Sequence, residues 1–408
     1  MERRNQILTG RSDLGEKPLQ LMAGPLTLWF EPETAFLRYI RLGKKELIRA
    51  IYVAVRDEYW RTAPPRVSAL RYVSTPGAFT LHFDVECRLD KIDYLWTGEI
   101  TGKEDGAISF RMHGKSRSSF LHNRIGFCVL HPAECAGRPC LVEKVDGTRV
   151  ETAFPLHIAP HQPFKDVRAI THEGPPGVRV KTRMEGDVFE TEDQRNWTDA
   201  SFKTYCTPLD RERPVEVHPG DEVRQSVTIS LSGHAPVARD RKGEEPEVVL
   251  HRPNLLQVPL SGLGLATTRE AIAADSALHP RLRALNLDHL RAEVDFRNGW
   301  PEALEHAGQL AADLNVPIIL DVVLSNDPAE QVSRLAEQLH DFRANISSCL
   351  VFHGDEPGYA GQWVRAAREQ LGAVLGSARF GGGSRTYFTE LNRDRPQPGD
   401  ADLVPYPV

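Results

Sequence analysis

The amino-acid sequence predicts a multidomain β plus α/β protein: an N-terminal antiparallel β-sandwich followed by an incomplete TIM-like (β/α) barrel. Three observations carry this expectation. From about Pro18 to Leu231 the chain alternates apolar and polar residues at period two, between Gly, Pro and Asp turns. Between Ser232 and Glu247 it turns charged and loses its large apolar side chains, as a linker does. Beyond that, strand patterns alternate with amphipathic helical ones in units of about 30 residues, the signature of βαβ construction. The expected boundaries are 1–231 for the sandwich, 232–250 for the linker and 251–408 for the partial barrel.

In the first part, Leu26–Phe30, Phe79–Val85, Ala107–Met112, Val178–Arg183 and Val223–Leu231 read as strands. Turn pairs such as Asp146-Gly147 and Pro219-Gly220 punctuate them. Period two means one buried and one wet face, which antiparallel sheets satisfy by stacking. No long helical pattern interrupts this region.

In the second part, strands are expected at Gly262–Thr267, Leu287–Val294, Val316–Leu324, Cys349–His353, Ala378–Phe380 and Asp402–Pro405. Helices are expected at Thr268–Ala284, Pro301–Leu314, Pro328–Ala344 and Gly361–Leu375. Gly262-Leu263-Gly264 lacks the third glycine of a dinucleotide fingerprint, which favours a barrel over a Rossmann sheet. A complete barrel takes eight strands and about 250 residues. Residues 251–408 supply six strands, so the barrel is expected to be truncated.

Composition removes several function classes. Apolar residues make up 40% and charged residues 26%, which excludes a wholly disordered or fibrous chain. The net charge of -6 is spread along the chain and shows no nucleic-acid footprint. No apolar run reaches the roughly 18 residues of a membrane span, and no apolar stretch follows the basic start, so a cytoplasmic protein is expected. The six cysteines form no C-x-x-C pair; Cys135 and Cys140 read as reduced thiols beside a turn. There is no Gly-x-Ser-x-Gly elbow, no His-Glu-x-x-His and no P-loop. Neither a metal nor a cofactor is called for, and the oligomeric state is open.

Barrel chemistry gathers where strands end. The second strand offers His289, Arg291, Glu293 and Asp295, and the third Asp321 followed by Asn326. The fourth ends in His353-Gly-Asp355-Glu356-Pro357, and the fifth leads to Tyr387, Glu390, Asn392 and Arg393, with Tyr406 beyond. Glu356 resembles the Asn-Glu-Pro acid/base of many barrel glycosidases, with Asp355 in place of Asn; the plainer reading is a loop acid at a helix N-terminus. Catalytic candidates are therefore Glu356, Asp355, His353, Arg291 and Glu293. Glu390, Asn392 and Tyr406 are candidate substrate contacts. In the β part, Glu192–Tyr205 mixes acids, amides, cations and aromatics as a polyol site does, so Arg195, Asn196, Trp197 and Lys203 join the substrate-binding set. Its plainer reading is a polar loop.

Four long strings carry a resemblance: His122–Pro132, Pro160–Arg168, Glu192–Tyr205 and Phe388–Arg393. Through them the chain resembles the D-apionate lactonase family from its first strands to its C-terminus. The resemblance implies hydrolysis of a small-molecule sugar lactone, D-apionolactone, to D-apionate in apiose catabolism. It also implies a β domain, a TIM-like barrel and a further C-terminal region. The residues themselves fit lactone opening, with Glu356 or Asp355 as base, Arg291 or His353 facing the oxyanion, and Glu390 and Asn392 on ring hydroxyls. A barrel glycosidase and a non-catalytic sugar-binding protein stay open beside it.

Overall fold

The computed structural model describes residues 16–233, 262–267, 279–297, 300–325, 327–342, 344–354 and 358–407, with residues 6, 7 and 10. The chain divides into two compact units, Met1–Glu245 and Pro246–Val408.

All 17 described strands of the first unit belong to one antiparallel hydrogen-bonded sheet. The expected pair of stacked sheets is corrected here: the two layers are arms of a single sheet. One arm runs through Pro65–Ser74, Phe79–Leu89, Ile92–Gly102, Ile108–Ser116, Glu222–Gly233 and Val178–Glu185. The other runs through Leu19–Ala23, Leu26–Glu31, Phe36–Leu42, Lys45–Asp57, Phe120–Pro132, Ser201–Tyr205 and Phe189–Asp193. Strand Phe164–Glu173 joins them. Its later residues pair with Val178–Glu185 and its earlier ones with Phe189–Asp193, and a register shift between Phe164 and Val167 marks the switch.

The arms face each other across an aromatic core. Phe30 lies 5.0 Å from Phe83 and Phe110 lies 4.9 Å from Phe127, ring centre to ring centre, each pair with one ring from either arm. The alternation in Phe79–Leu89 buries Phe79, Leu81, Phe83, Val85 and Cys87 and leaves the residues between them more exposed, as period two requires. Besides the helical residues Gln6 and Ile7, the described helical content of this unit is two 3-10 turns, Ala133–Cys135 and Gln194–Trp197.

The second unit carries five parallel strands, Gly264–Thr267, His289–Asp295, Ile318–Leu324, Ile346–His353 and Arg379–Gly381, adjacent in chain order. That unbroken order is how a barrel winds, without the reversal of a Rossmann sheet. Helices Trp300–Leu314, Pro328–His340 and Gly361–Leu375 fill the crossovers. The second shows why these residues are helical. The Asp327 carboxylate caps the Glu330 amide, Pro328 starts the first turn, and Val332, Leu335 and Leu339 bury one stripe. The first expected helix survives in the description as His279–Ala284, since residues 268–278 lie outside it. The sixth expected strand is reduced to a parallel bridge, Gly381 to Leu403, with flanking main-chain bonds from Asp402 to Phe380 and from Ser384 to Pro405. Among the described residues no helix is long and apolar enough to cross a membrane.

Candidate functional site

In strand His289–Asp295, Leu290, Ala292 and Val294 are buried in the apolar layer shared with the helices. Alternation therefore turns His289, Arg291, Glu293 and Asp295 to the opposite face. On the next strand Ile318, Leu320, Val322 and Leu324 fill the same apolar layer, and Asp321 joins the polar face. Glu293 and Asp321 are direct register partners, so two carboxylates stand side by side.

Two arginines clamp them. Arg291 Nε donates to Asp321 Oδ2 at 2.6 Å, and Arg385 Nη2 donates to Glu293 Oε2 at 2.5 Å. Arg385 also lies over the Phe352 ring at 5.7 Å. Asp321 is buried, and among the described residues its Oδ1 has no hydrogen-bond partner. Burial pushes its carboxyl above the usual range, and Glu293 adds to the rise, against the pull of Arg291 and Arg385. Asp295 is the contrast: Arg297 grips both of its oxygens and holds its carboxyl low. A carboxylate with a raised pKa and a free oxygen is equipped to take a proton; one gripped on both sides is not.

Of the residues expected from sequence, Arg291 and Glu293 are brought together in this cluster. His353 closes the Ile346–His353 strand and stacks on Trp363, with centroids 6.0 Å apart and planes 15° from parallel. Asp355 and Glu356 lie outside the described residues. Glu390 and Asn392, which follow the fifth strand, sit on helix Phe388–Arg393. There Glu390 pairs with Arg393 at 2.9 Å, and Asn392 Oδ1 accepts from Arg395 Nε at 2.9 Å. Tyr406 is half exposed against Phe388, 5.3 Å between ring centres.

The Glu192–Tyr205 stretch is no polar loop. It is a strand end, a 3-10 turn and a strand of the sheet. Arg195, expected among the substrate contacts, is engaged within the fold. Its Nε and Nη2 grip the fully buried Asp193 at 2.8 and 2.7 Å, and its remaining donors reach the carbonyls of Pro155, Leu156 and His157. Asn196 is buried too and gives its amide to Ala159 O. Trp197 and Lys203 both meet Glu192, at 2.8 and 3.2 Å. Burial lowers the Lys203 ammonium, and Arg124 and Arg56 lower it further against the pull of Glu192. All six cysteines are free and buried, and burial pushes Cys135 and Cys140 up to about 12, which leaves them inert thiols at neutral pH.

Sequence reading named Asp321 as a strand carboxylate without selecting it and passed over Arg385. Strand alternation flags Asp321; nothing local flags Arg385, which pairs with Glu293 across 92 positions.

Fold and cluster together define a two-unit protein in which an antiparallel β unit precedes a parallel, barrel-ordered α/β unit with paired carboxylates and arginines on its polar face. Residues 6–234 match the family model for the D-apionate lactonase N-terminal domain, and residues 263–408 match the D-apionate lactonase TIM barrel domain. The chain belongs to the D-apionate lactonase family. It is 33% identical over 405 residues to the D-apionate lactonase of Brucella anthropi, covering 95% of this chain and 65% of that protein's length. Among solved structures, an aldose epimerase homologue from C. elegans aligns at 9% identity and TM-score 0.36, over 53% of this chain and 99% of its own. Galactose 1-epimerase from Lactobacillus acidophilus aligns at 6% identity and TM-score 0.34, over 54% and 97%.

Proposed function

We propose that the protein is a sugar lactonase that hydrolyses D-apionolactone to D-apionate, and that Asp321 is its general base. The observation that carries the second half is the asymmetry of Asp321: one oxygen held by Arg291, the other buried without a partner. Family membership supports the substrate class. In this reading a water loses its proton to Asp321 as its oxygen bonds the lactone carbonyl carbon. The oxyanion so formed is met by Arg385 or Arg291, both partly exposed. Collapse breaks the ring C–O bond, and Asp321 returns the proton to the leaving alkoxide. The acid product then ionises and releases one proton to solvent.

Paired carboxylates also serve retaining glycosidases, which place theirs about 5 Å apart. The register pairing of Glu293 with Asp321 is what favours that second reading. Both are tested by following proton release on D-apionolactone and chromophore release on aryl glycosides. Asp321→Asn is expected to lower lactone kcat by about 10²–10⁴-fold, and Glu356→Gln by far less. A full loss in Glu356→Gln with Asp321→Asn active would move the base to residue 356. Aryl glycoside turnover without lactone turnover would replace the lactonase by a glycosidase.

A further inference from the structure

A buried arginine with no counter-ion among the described residues stands on the other unit, on the side of its sheet away from the core. Strand Phe120–Pro132 turns Ile125, Phe127 and Val129 into the aromatic interior, so Arg124 and Cys128 face outward. The register sets Arg56 beside Arg124, and Tyr52 and Tyr205 on either side of Cys128. Lys203 shares this face two residues from Tyr205, and Glu192 and Glu190 are their respective partners on the adjacent strand Phe189–Asp193.

Arg124 is 2% exposed, and its guanidinium lies 3.9 Å from the Tyr205 ring centre and 5.3 Å from that of Trp60. The Nε atoms of Arg124 and Arg56 are both buried without a partner, and no described residue hydrogen-bonds or ion-pairs with either guanidinium. The two glutamates on this face are already engaged. Glu190 accepts from the Tyr205 hydroxyl at 2.8 Å and the Leu209 amide at 2.7 Å. Glu192 is held by Lys203, Gln194 and Trp197. Two adjacent guanidiniums, one of them buried, with no acceptor between them, are strongly unfavourable unless an anion completes the site.

Trp60 gives a second, independent sign. Its backbone lies in the left-handed region, φ 67°, which a bulky residue avoids. The turn that imposes this is clamped: the Asp57 carboxylate accepts from the Tyr59 amide, the Arg61 amide and Arg61 Nε at 2.7–2.9 Å, and Asn123 donates to Glu58 O at 2.9 Å. The strained turn holds a partly exposed indole beside Arg124 and Arg213.

We propose that this face binds a sugar acid, with Arg124 and Arg56 receiving its carboxylate and Trp60 lying against the apolar side of its polyol chain. Arg124, Arg56 and Lys203 share this face with Glu190 and Glu192, and Arg213 borders it beside Trp60, so the site is net positive and suits an anion whose polyol part can lie on the indole. The Lys203–Glu192 pair supplies a donor and an acceptor for hydroxyls. By contrast, in a 590 Å³ groove on the other arm, His82, Glu99, Arg111 and His113 are paired among themselves and with Glu222. The proposal is read from the β unit alone and does not rest on the lactonase reading.

The test is calorimetric titration of the full chain with D-gluconate, with D-glucose, acetate and inorganic phosphate as controls. Gluconate is expected to bind one per chain, and each control at least tenfold more weakly. Arg124→Gln should weaken gluconate at least tenfold, and Trp60→Asn, which keeps a left-handed turn residue, at least threefold. Should Arg124→Gln fail to fold, the more exposed Arg56→Gln carries the same expectation. Asp321→Asn should leave binding unchanged. No gluconate binding, binding indifferent to the Arg56 and Arg124 variants, or phosphate binding as tightly as gluconate would each overturn the proposal.

Discussion

At the scale of single residues, charge placement separates structure from chemistry. Arg195 and Arg291 are both arginines beside an aspartate, yet they do different work. Arg195 uses both faces of its fork on Asp193 and neighbouring carbonyls, so Arg195→Met should leave a buried carboxylate exposed to its own desolvation cost. The expected loss is about 3–5 kcal/mol, read as a lower urea midpoint with an unchanged slope. An unchanged midpoint would restore Arg195 to the list of ligand contacts. The core histidines carry a pH dependence. Burial depresses His131 to about 3 and His172 to about 4 from 6.5, with each ring within 5.8 Å of the other. The unfolded chain therefore binds more protons at these positions than the folded one. Their neutral forms give full stability above about pH 6.5, and it is lost as pH falls through 6.5 toward 3–4. Thermal melts across pH 7 to 4 should show a falling midpoint that flattens in a His131→Gln, His172→Gln double variant. A slope of the same size in that variant would assign the effect elsewhere.

At the scale of elements, local patterns were legible and long-range pairings were not. Helix Gly361–Leu375 is where its amphipathic stripe places it, because an i, i+3, i+4 repeat is a property of neighbours in the chain. The union of both β layers into one sheet depends on strand Phe164–Glu173 changing partners midway, and no local signal announces that. In the candidate site the same divide applies. Arg291 and Glu293 were visible from alternation, whereas the raised carboxyl of Asp321 comes from burial by distant neighbours. The glycines of Gly381–Gly383 are required by close approach of another backbone segment. A Cβ on Gly383 would lie 1.9 Å from Pro405 O, and one on Gly381 would lie 2.2 Å from Leu403 O. Gly383→Val should push residues 402–405 off the sheet edge, exposing their amides. Hydrogen exchange at Asp402 is the readout, with at least tenfold faster exchange expected and unchanged protection counting against the account.

At the scale of the whole molecule, each unit owns a hydrophobic core assembled from its own residues. A fragment of residues 16–233 is therefore expected to fold alone, with a cooperative urea transition and near-UV signals from Trp96 and its aromatic neighbours. A fragment that stays unfolded would show that the β unit depends on the rest of the chain. In the proposed function, proton transfer falls to Asp321 in one unit and recognition of a sugar acid to Arg124 in the other. The central claim is that these 408 residues open a sugar lactone. The most direct measurement is proton release by the purified chain on D-apionolactone in weak buffer, against the spontaneous blank and the Asp321→Asn variant. A rate well above blank, abolished in the variant, is the predicted result. A folded sample with no rate above blank, or a variant as fast as the parent, would contradict it.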